Sequence, residues 1–400
     1  MKANPIKIAV LSTEFHPASH TDVIVSRWLE PFLNDHLYGW SAPSSRIASF
    51  YVAQRKMTSD LTNAVTARYG IPSFDSISGA LTLGGDELAV DAVMLIAEHG
   101  DYPENEFHQK LYPRKEFFDQ MVEVFRRSGR VVPVFFDKHL SWNTEWIEEM
   151  TSTVRALQIP FFAGSSIPFS LPESLETIPP ATPFEEVVSV YCNAVESYLF
   201  HSAEFVESVV ERRNSQDPGI AEIKAWEGEA VWQAVYRGEF SWELLEAACA
   251  SSSAEHLAAI RTHRAARGQP VYAFQVQYRD GLKVTHFMQK DVVRKWCLGA
   301  RIAGQDHLLS GTVLSSGADH YYPHFARLCR QIEDFFLTGR SPVPISRIWT
   351  TSMITAWAMQ ALAQPGVPLS VSESHPPVGA RSGVPVRLSG LTGDRTRTQP

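Results

Sequence analysis

The chain has 400 residues, 44% of them hydrophobic and 20% charged, with a net charge of −8. Acids and bases are mixed along it, which excludes the basic face of a nucleic-acid binder or an anionic-membrane binder. No apolar run reaches the roughly 18 residues of a membrane span. The four cysteines form no C-x-x-C pair, so we expect free thiols and a cytoplasmic protein without a signal peptide.

Strands and helices alternate over the first 165 residues. Residues 7–13 (KIAVLST) read as a buried first strand and 22–34 as the helix after it. Residues 46–52 form the next strand candidate and 59–69 a short helix stopped by Gly70. Residues 91–97 (DAVMLIA) are a buried strand, 114–127 an amphipathic helix and 131–136 (VVPVFF) a strand. Residues 145–157 are a helix and 160–163 a last strand. This alternation predicts a doubly wound parallel sheet.

After a Pro/Ser-rich connector at 166–183, residues 184–213 read as one or two helices. Residues 221–227, 271–278 and 283–288 read as strands, the last two joined by the hairpin signal Arg279-Asp280-Gly281. Residues 250–268 are a polar helix or loop, and 322–337 and 348–362 are closing helices. The expected organisation is a Rossmann-like domain over 1–165, an α+β domain over 166–364 and a disordered tail over 365–400.

The turn between the first strand and first helix is EFHPASHT. A dinucleotide fold carries G-x-G-x-x-G there, where glycines let the backbone approach a pyrophosphate. This turn has no glycine and offers Glu14, His16 and His20 instead. The second strand ends in Phe50-Tyr51-Val52-Ala53-Gln54, without the acid that binds an adenine ribose.

Five segments in order resemble the glucose–fructose oxidoreductase / inositol dehydrogenase family (Gfo/Idh/MocA). Ala18-Ser19-His20-Thr21-Asp22 is similar to the segment that opens its first helix, and Ile71-Pro72-Ser73-Phe74-Asp75-Ser76 to its "IPVYDS". Asp137-Lys138-His139 stands where the family has E-K-P. Residues 158–164 resemble "GVPLMVG" and residues 335–342 "F-x-x-A-I-x-T-G-R-x-P". The resemblance covers about residues 5–365 and implies a Rossmann-like domain followed by an α+β domain whose sheet often forms a dimer face, hence a homo-oligomer. It also implies a catalytic role for Lys138 and, through a looser match at Ser197–His201, for His201. The family's aspartate four residues before that histidine is Ser197 here, with Glu196 beside it.

Ligands of doubly wound sheets bind at the carboxyl ends of the strands. Those ends carry Glu14, His16 and His20, then Glu98, His99, Asp101, Tyr102, His108, Lys110 and Tyr112, then Asp137, Lys138 and His139, then Ser165 and Ser166. Imidazole with carboxylate suits Fe, Mn, Zn or Co. The expected metal ligands are His16, Glu98 and His139, with His20 and His99 in reserve. The leading expectation is therefore a metal-dependent enzyme, oxidoreductase-type by fold analogy, acting on a small polar metabolite in the interdomain cleft without a nicotinamide. Lys138, with Tyr102 or Tyr112, would move protons. A second reading is an NAD(P)-dependent dehydrogenase with an atypical turn, using Lys138 and His201. A third is a non-catalytic ligand-binding protein.

Overall fold

In the computed structural model, residues 5–55, 58–214, 217–263, 270–290, 292–315 and 321–371 are described. Six parallel strands make the first sheet: β1 (Lys7–Ser12), β2 (Arg46–Val52), β3 (Ser73–Phe74), β4 (Ala92–Ile96), β5 (Val134–Asp137) and β6 (Phe161–Gly164). Their spatial order is β3-β2-β1-β4-β5-β6. The two most apolar segments, β1 and β4, lie side by side in the middle, with both faces covered. The strand order reverses at the β1–β4 gap, while the strands stay parallel, which makes it the ligand-binding switch point.

The helices of this half are α1 (His20–Leu29), α2 (Thr62–Tyr69), α3 (Ile77–Thr82), α4 (Arg114–Ser128) and α5 (Thr144–Ala156). α1 is shorter at its far end than the sequence suggests, because Pro31 cannot continue a helix. It starts earlier, because Ser19 caps it by accepting the Asp22 N–H at 3.2 Å.

The second half contains α6 (Glu173–Glu176), β7 (Phe184–Tyr191), α7 (Val195–Val210), β8 (Ile220–Glu227), α8 (Glu229–Tyr236), α9 (Trp242–Ser252) and α10 (Ala254–His263). It continues through β9 (Val271–Tyr278), β10 (Lys283–Gln289), β11 (Cys297–Ile302), β12 (Leu309–Thr312), α11 (His324–Thr338), α12 (Ile345–Ala361) and β13 (Leu369–Ser370). The mixed sheet runs β12-β11-β7-β10-β9-β8-β13, and β7 and β10 are its parallel pair.

Two expectations need correction. Residues 184–213 are a strand followed by a helix, because the valine-rich FEEVVSVY is buried in the sheet and the chain turns at Asn193 with φ +71°. Residues 365–371, expected to belong to the tail, are ordered, since Leu369–Ser370 pairs with β8; the rest of that expectation, residues 372–400, lies outside the described residues. Both closing helices return to the first sheet. Phe325, Cys329 and Phe335 of α11 pack with α1, β1 and β2, and Ile348, Trp349 and Met353 of α12 join the core around α5. The second half is thereby locked onto the first, and α7 faces the carboxyl end of β6. All four cysteines are buried and outside any disulfide, and no helix among the described residues is long and apolar enough to cross a membrane.

Candidate active site

The carboxyl ends of β4 and β5 and the start of α4 converge on one buried chain of charge. Lys138 follows β5 with φ +73°, a left-handed backbone that a non-glycine residue adopts only when its surroundings impose it. Its N–H bonds the Gly164 carbonyl at 3.1 Å, which ties it to the end of β6. Its Nζ lies 3.1 Å from Glu98 Oε1. The other oxygen, Oε2, is 2.5 Å from Arg114 Nη2. Arg114 Nη1 is 2.8 Å from His139 Nε2. All four residues are almost fully buried.

Burial pushes the Glu98 carboxyl up, but Lys138 and Arg114 outweigh it and hold the group well below its ordinary range. Burial, reinforced by the Arg114 charge, holds His139 well below the ordinary imidazole value. Since a guanidinium only donates, Nε2 of His139 is the acceptor.

A second set of imidazoles lines the same rim. His20 Nδ1 is 2.6 Å from Asp137 Oδ2. The His20 ring lies 5.4 Å from that of His99 and 6.4 Å from that of His201. His99 is pushed down to about 4 by burial, and His16 stands 5.8 Å from it, ring to ring, with Glu14 at 3.5 Å.

His201 comes from α7, in the second half. Its Nδ1 is 2.5 Å from Ser165 Oγ. Glu204, one turn further on, accepts the Ser165 N–H at 3.2 Å. These two residues of α7 therefore grip one residue at the end of β6. Gly164 permits this close seat: a Cβ there would stand 2.5 Å from Glu204 Oε2, and its φ is +135°. Tyr198, one turn before His201, lies under Lys138 Nζ at 5.7 Å and stacks on Trp296 with 7° between the rings.

The metal expectation is corrected here. No group of three or more His, Cys, Asp or Glu side chains able to hold a metal ion occurs among the described residues. The physical reason is Arg114. Its guanidinium stands between Glu98 and His139, where the ion would sit, and both oxygens of Glu98 already face cations. His16 is turned to Glu14 and the Pro17 carbonyl. The reserves His20 and His99 are close to each other, but Asp137 already takes His20 Nδ1.

The tyrosines sit on the outer flank of this cluster. Tyr102 and Tyr112 pack edge to face at 5.6 Å, and Arg114 lies over the Tyr112 ring. Burial pushes Tyr102 up to about 12 and raises Tyr112 as well, so near pH 7 both are neutral phenols. Arg114 is the residue that sequence reasoning overlooked. A signal existed: a cation at the first position of a helix opposes the macrodipole and calls for a local partner.

The switch point can be tested against a dinucleotide. In the glycine-free turn, Ala18 takes φ +63° and does what a glycine would do. Asp22 Oδ2 accepts the Ala18 N–H at 2.9 Å and the Tyr321 hydroxyl. A glycine-amide cradle is therefore absent, and imidazoles of His16 and His20 flank the turn. Beyond β2, Arg55 follows the strand-end segment that lacks the ribose-binding acid, and it bonds Ser73 Oγ. The reactive end and the basic far end fit a dinucleotide. The turn fits one only through side chains.

No family model matches the chain, and no curated protein matches it. Solved structures do. Myo-inositol 2-dehydrogenase from Lactobacillus plantarum superposes with a TM-score of 0.57 at 10% identity, covering 92% of this chain and 100% of that one. GenD2 from gentamicin A biosynthesis, in complex with NAD, gives 0.55 at 11% identity, with 93% and 98% covered. Biliverdin reductase from Synechocystis sp. PCC 6803, in complex with biliverdin and NADP+, gives 0.52 at 10% identity, with 90% and 99% covered. Their likeness runs through both sheets, and the chain has the Gfo/Idh/MocA-type fold: a Rossmann-like domain followed by a mixed-sheet α+β domain.

Proposed function

We propose that the chain is an NAD(P)-linked oxidoreductase that interconverts a hydroxyl and a carbonyl on a small polar substrate. The observation that carries this reading is the meeting of Lys138 and His201. They come from different halves of the chain, Lys138 from the end of β5 and His201 from α7, and stand against the same Tyr198 ring, at 5.7 and 5.8 Å, beside the switch point of a Rossmann-like sheet. Structures of the same fold contain NAD and NADP+. This replaces the expectation of a metal-dependent, nicotinamide-free enzyme.

A bound nicotinamide would supply hydride transfer. The residues of the chain supply the rest. Lys138, anchored by Glu98, donates a hydrogen bond to the reacting oxygen and balances charge developing on it. His201 approaches that oxygen from the α7 side. Glu98 and Arg114 keep the amine in place without drawing water into the cluster. Arg55 favours a 2′-phosphate over a bare ribose, so NADP(H) is the expected form. As in the family, a homo-oligomer is the expected assembly.

The test is fluorescence titration of the full chain with NADPH and with NADH. Saturable binding with NADPH preferred, and loss of that preference in Arg55→Glu, supports the reading. Binding of neither nucleotide sinks it.

A further inference from the structure

His20 and His201 approach each other across the site with ring centroids 6.4 Å apart. Each has Nδ1 held by the protein, and neither has a protein partner at Nε2 among the described residues. The two Nδ1 partners differ in kind. For His20 it is the Asp137 carboxylate, which can only accept. Nδ1 therefore carries the hydrogen, and the neutral ring has its lone pair on Nε2. For His201 it is the Ser165 hydroxyl, whose oxygen already accepts the Ile167 N–H at 3.0 Å. Among the described residues, Nδ1 of His201 is the one acceptor in reach of that hydroxyl hydrogen. Nδ1 therefore accepts, and the hydrogen of the neutral ring stands on Nε2.

The two rings are thus fixed in opposite senses. A hydroxyl is the group that matches both at once, because it donates one hydrogen and accepts another. A carboxylate or phosphate has no hydrogen to give His20, and a cation would meet the N–H of His201. We propose that His20 and His201 seat one substrate hydroxyl, which donates to His20 Nε2 and accepts from His201 Nε2–H, and that Asp137 and Ser165 are the positioning residues that set these polarities. The assignment of a reacting hydroxyl rests on the oxidoreductase reading above. In the oxidation direction the O–H proton passes to His20 Nε2. The carbon–oxygen double bond forms as the C–H hydrogen leaves with its electron pair to the oxidised nicotinamide, so charge and atoms balance. Burial, together with the Lys138 charge, holds His201 well below the ordinary imidazole range, so it donates as a neutral ring.

The experiment is NMR on the full chain with ring-labelled histidine, reading which nitrogen of His20 and His201 bears hydrogen. The expected result is Nδ1–H for His20 and Nε2–H for His201. Ser165→Ala should remove the Nε2–H preference of His201, and Ser165→Thr should restore it. Asp137→Asn can donate to Nδ1 and should shift His20 towards Nε2–H. The same tautomer on both rings overturns the proposal. Ethylene glycol at molar concentration serves as a hydroxyl probe. Joint movement of both ring signals supports the shared seat, and no movement of either overturns it. These readings need no cofactor. If NADPH does not bind while the tautomers stand as described, the oxidoreductase reading fails and the polarity of the pair survives.

Discussion

Arg114 and Glu98 are 16 residues apart in sequence and meet at 2.5 Å, with both side chains almost completely buried. The pair takes the position that the strand-end histidines and carboxylates would have given to a metal ion. It also leaves the second oxygen of Glu98 to Lys138.

Removing Arg114 should therefore be costly. Arg114→Met leaves Glu98 with one cation and frees the Nε2 of His139. Truncating one partner of a buried ion pair costs roughly 3–5 kcal/mol. Urea denaturation should show that loss. A change below about 1 kcal/mol would mean that Glu98 is adequately held by Lys138 alone.

Lys138→Met should separate chemistry from folding. Glu98 keeps Arg114, so the chain should stay folded. Loss of a hydrogen-bond donor positioned on the charge that develops in the transition state lowers turnover by about 100-fold or more. The rate of substrate-dependent NADPH oxidation checks this, with circular dichroism to confirm the fold. Full turnover in the variant would remove Lys138 from the reaction.

Gly164→Ala should break the seat of α7 on β6. The added Cβ would stand 2.5 Å from Glu204 Oε2 at φ +135°, and strain with a displaced buried carboxylate should cost about 2 kcal/mol or more. Gly70→Ala is the comparison, because its φ of +64° is strained but nothing lies within 4 Å. It should cost about 1 kcal/mol. Equal midpoints in the two variants would contradict the close contact.

Glu196 gives a pH signature. Burial raises its carboxyl to about 7, against a lowering effect of the Lys110 N–H, which lies 2.9 Å from Oε2. The folded value is above the unfolded one. Its stabilising contribution is complete below about 4.5 and is lost as pH rises through about 7. Glu196→Gln keeps an acceptor for Lys110 and cannot ionise. At pH 8 it should be more stable than the parent by about 1–3 kcal/mol, with the difference vanishing near pH 4. An unchanged difference across that range would show that the effect is packing and not ionisation.

Local pattern made much of the first half legible. IAVL in β1 and AVMLI in β4 are apolar without interruption, so they had to be central strands. Arg114–Ser128 repeats its apolar residues at helical spacing and ends at Gly129 with φ +58°, so its limits could be read. β11 and β12 were missed because CLGARI and LSGT carry too little apolar weight to mark a strand. Gly299 of β11 is there because α9 crosses it, and a Cβ would meet the Leu244 carbonyl. Residues 184–191 were misread because a valine-rich run beside a helix carries no local boundary except Asn193.

By itself the sequence determined the alternation of strands and helices, the loss of the glycine turn, and the rim on which His16, His20, Glu98, Lys138 and His139 gather. Hydrophobic period and turn chemistry act between near neighbours, so they can be read from sequence. The tertiary structure alone decided which of those groups touch. Arg114 reached Glu98 because α4 begins beside the end of β4. His201 reached Ser165 because α7 and α12 fold back against the first sheet. Contacts of that kind depend on helix placement to within an ångström or so. A cation at a helix start or a serine after a strand does not specify it.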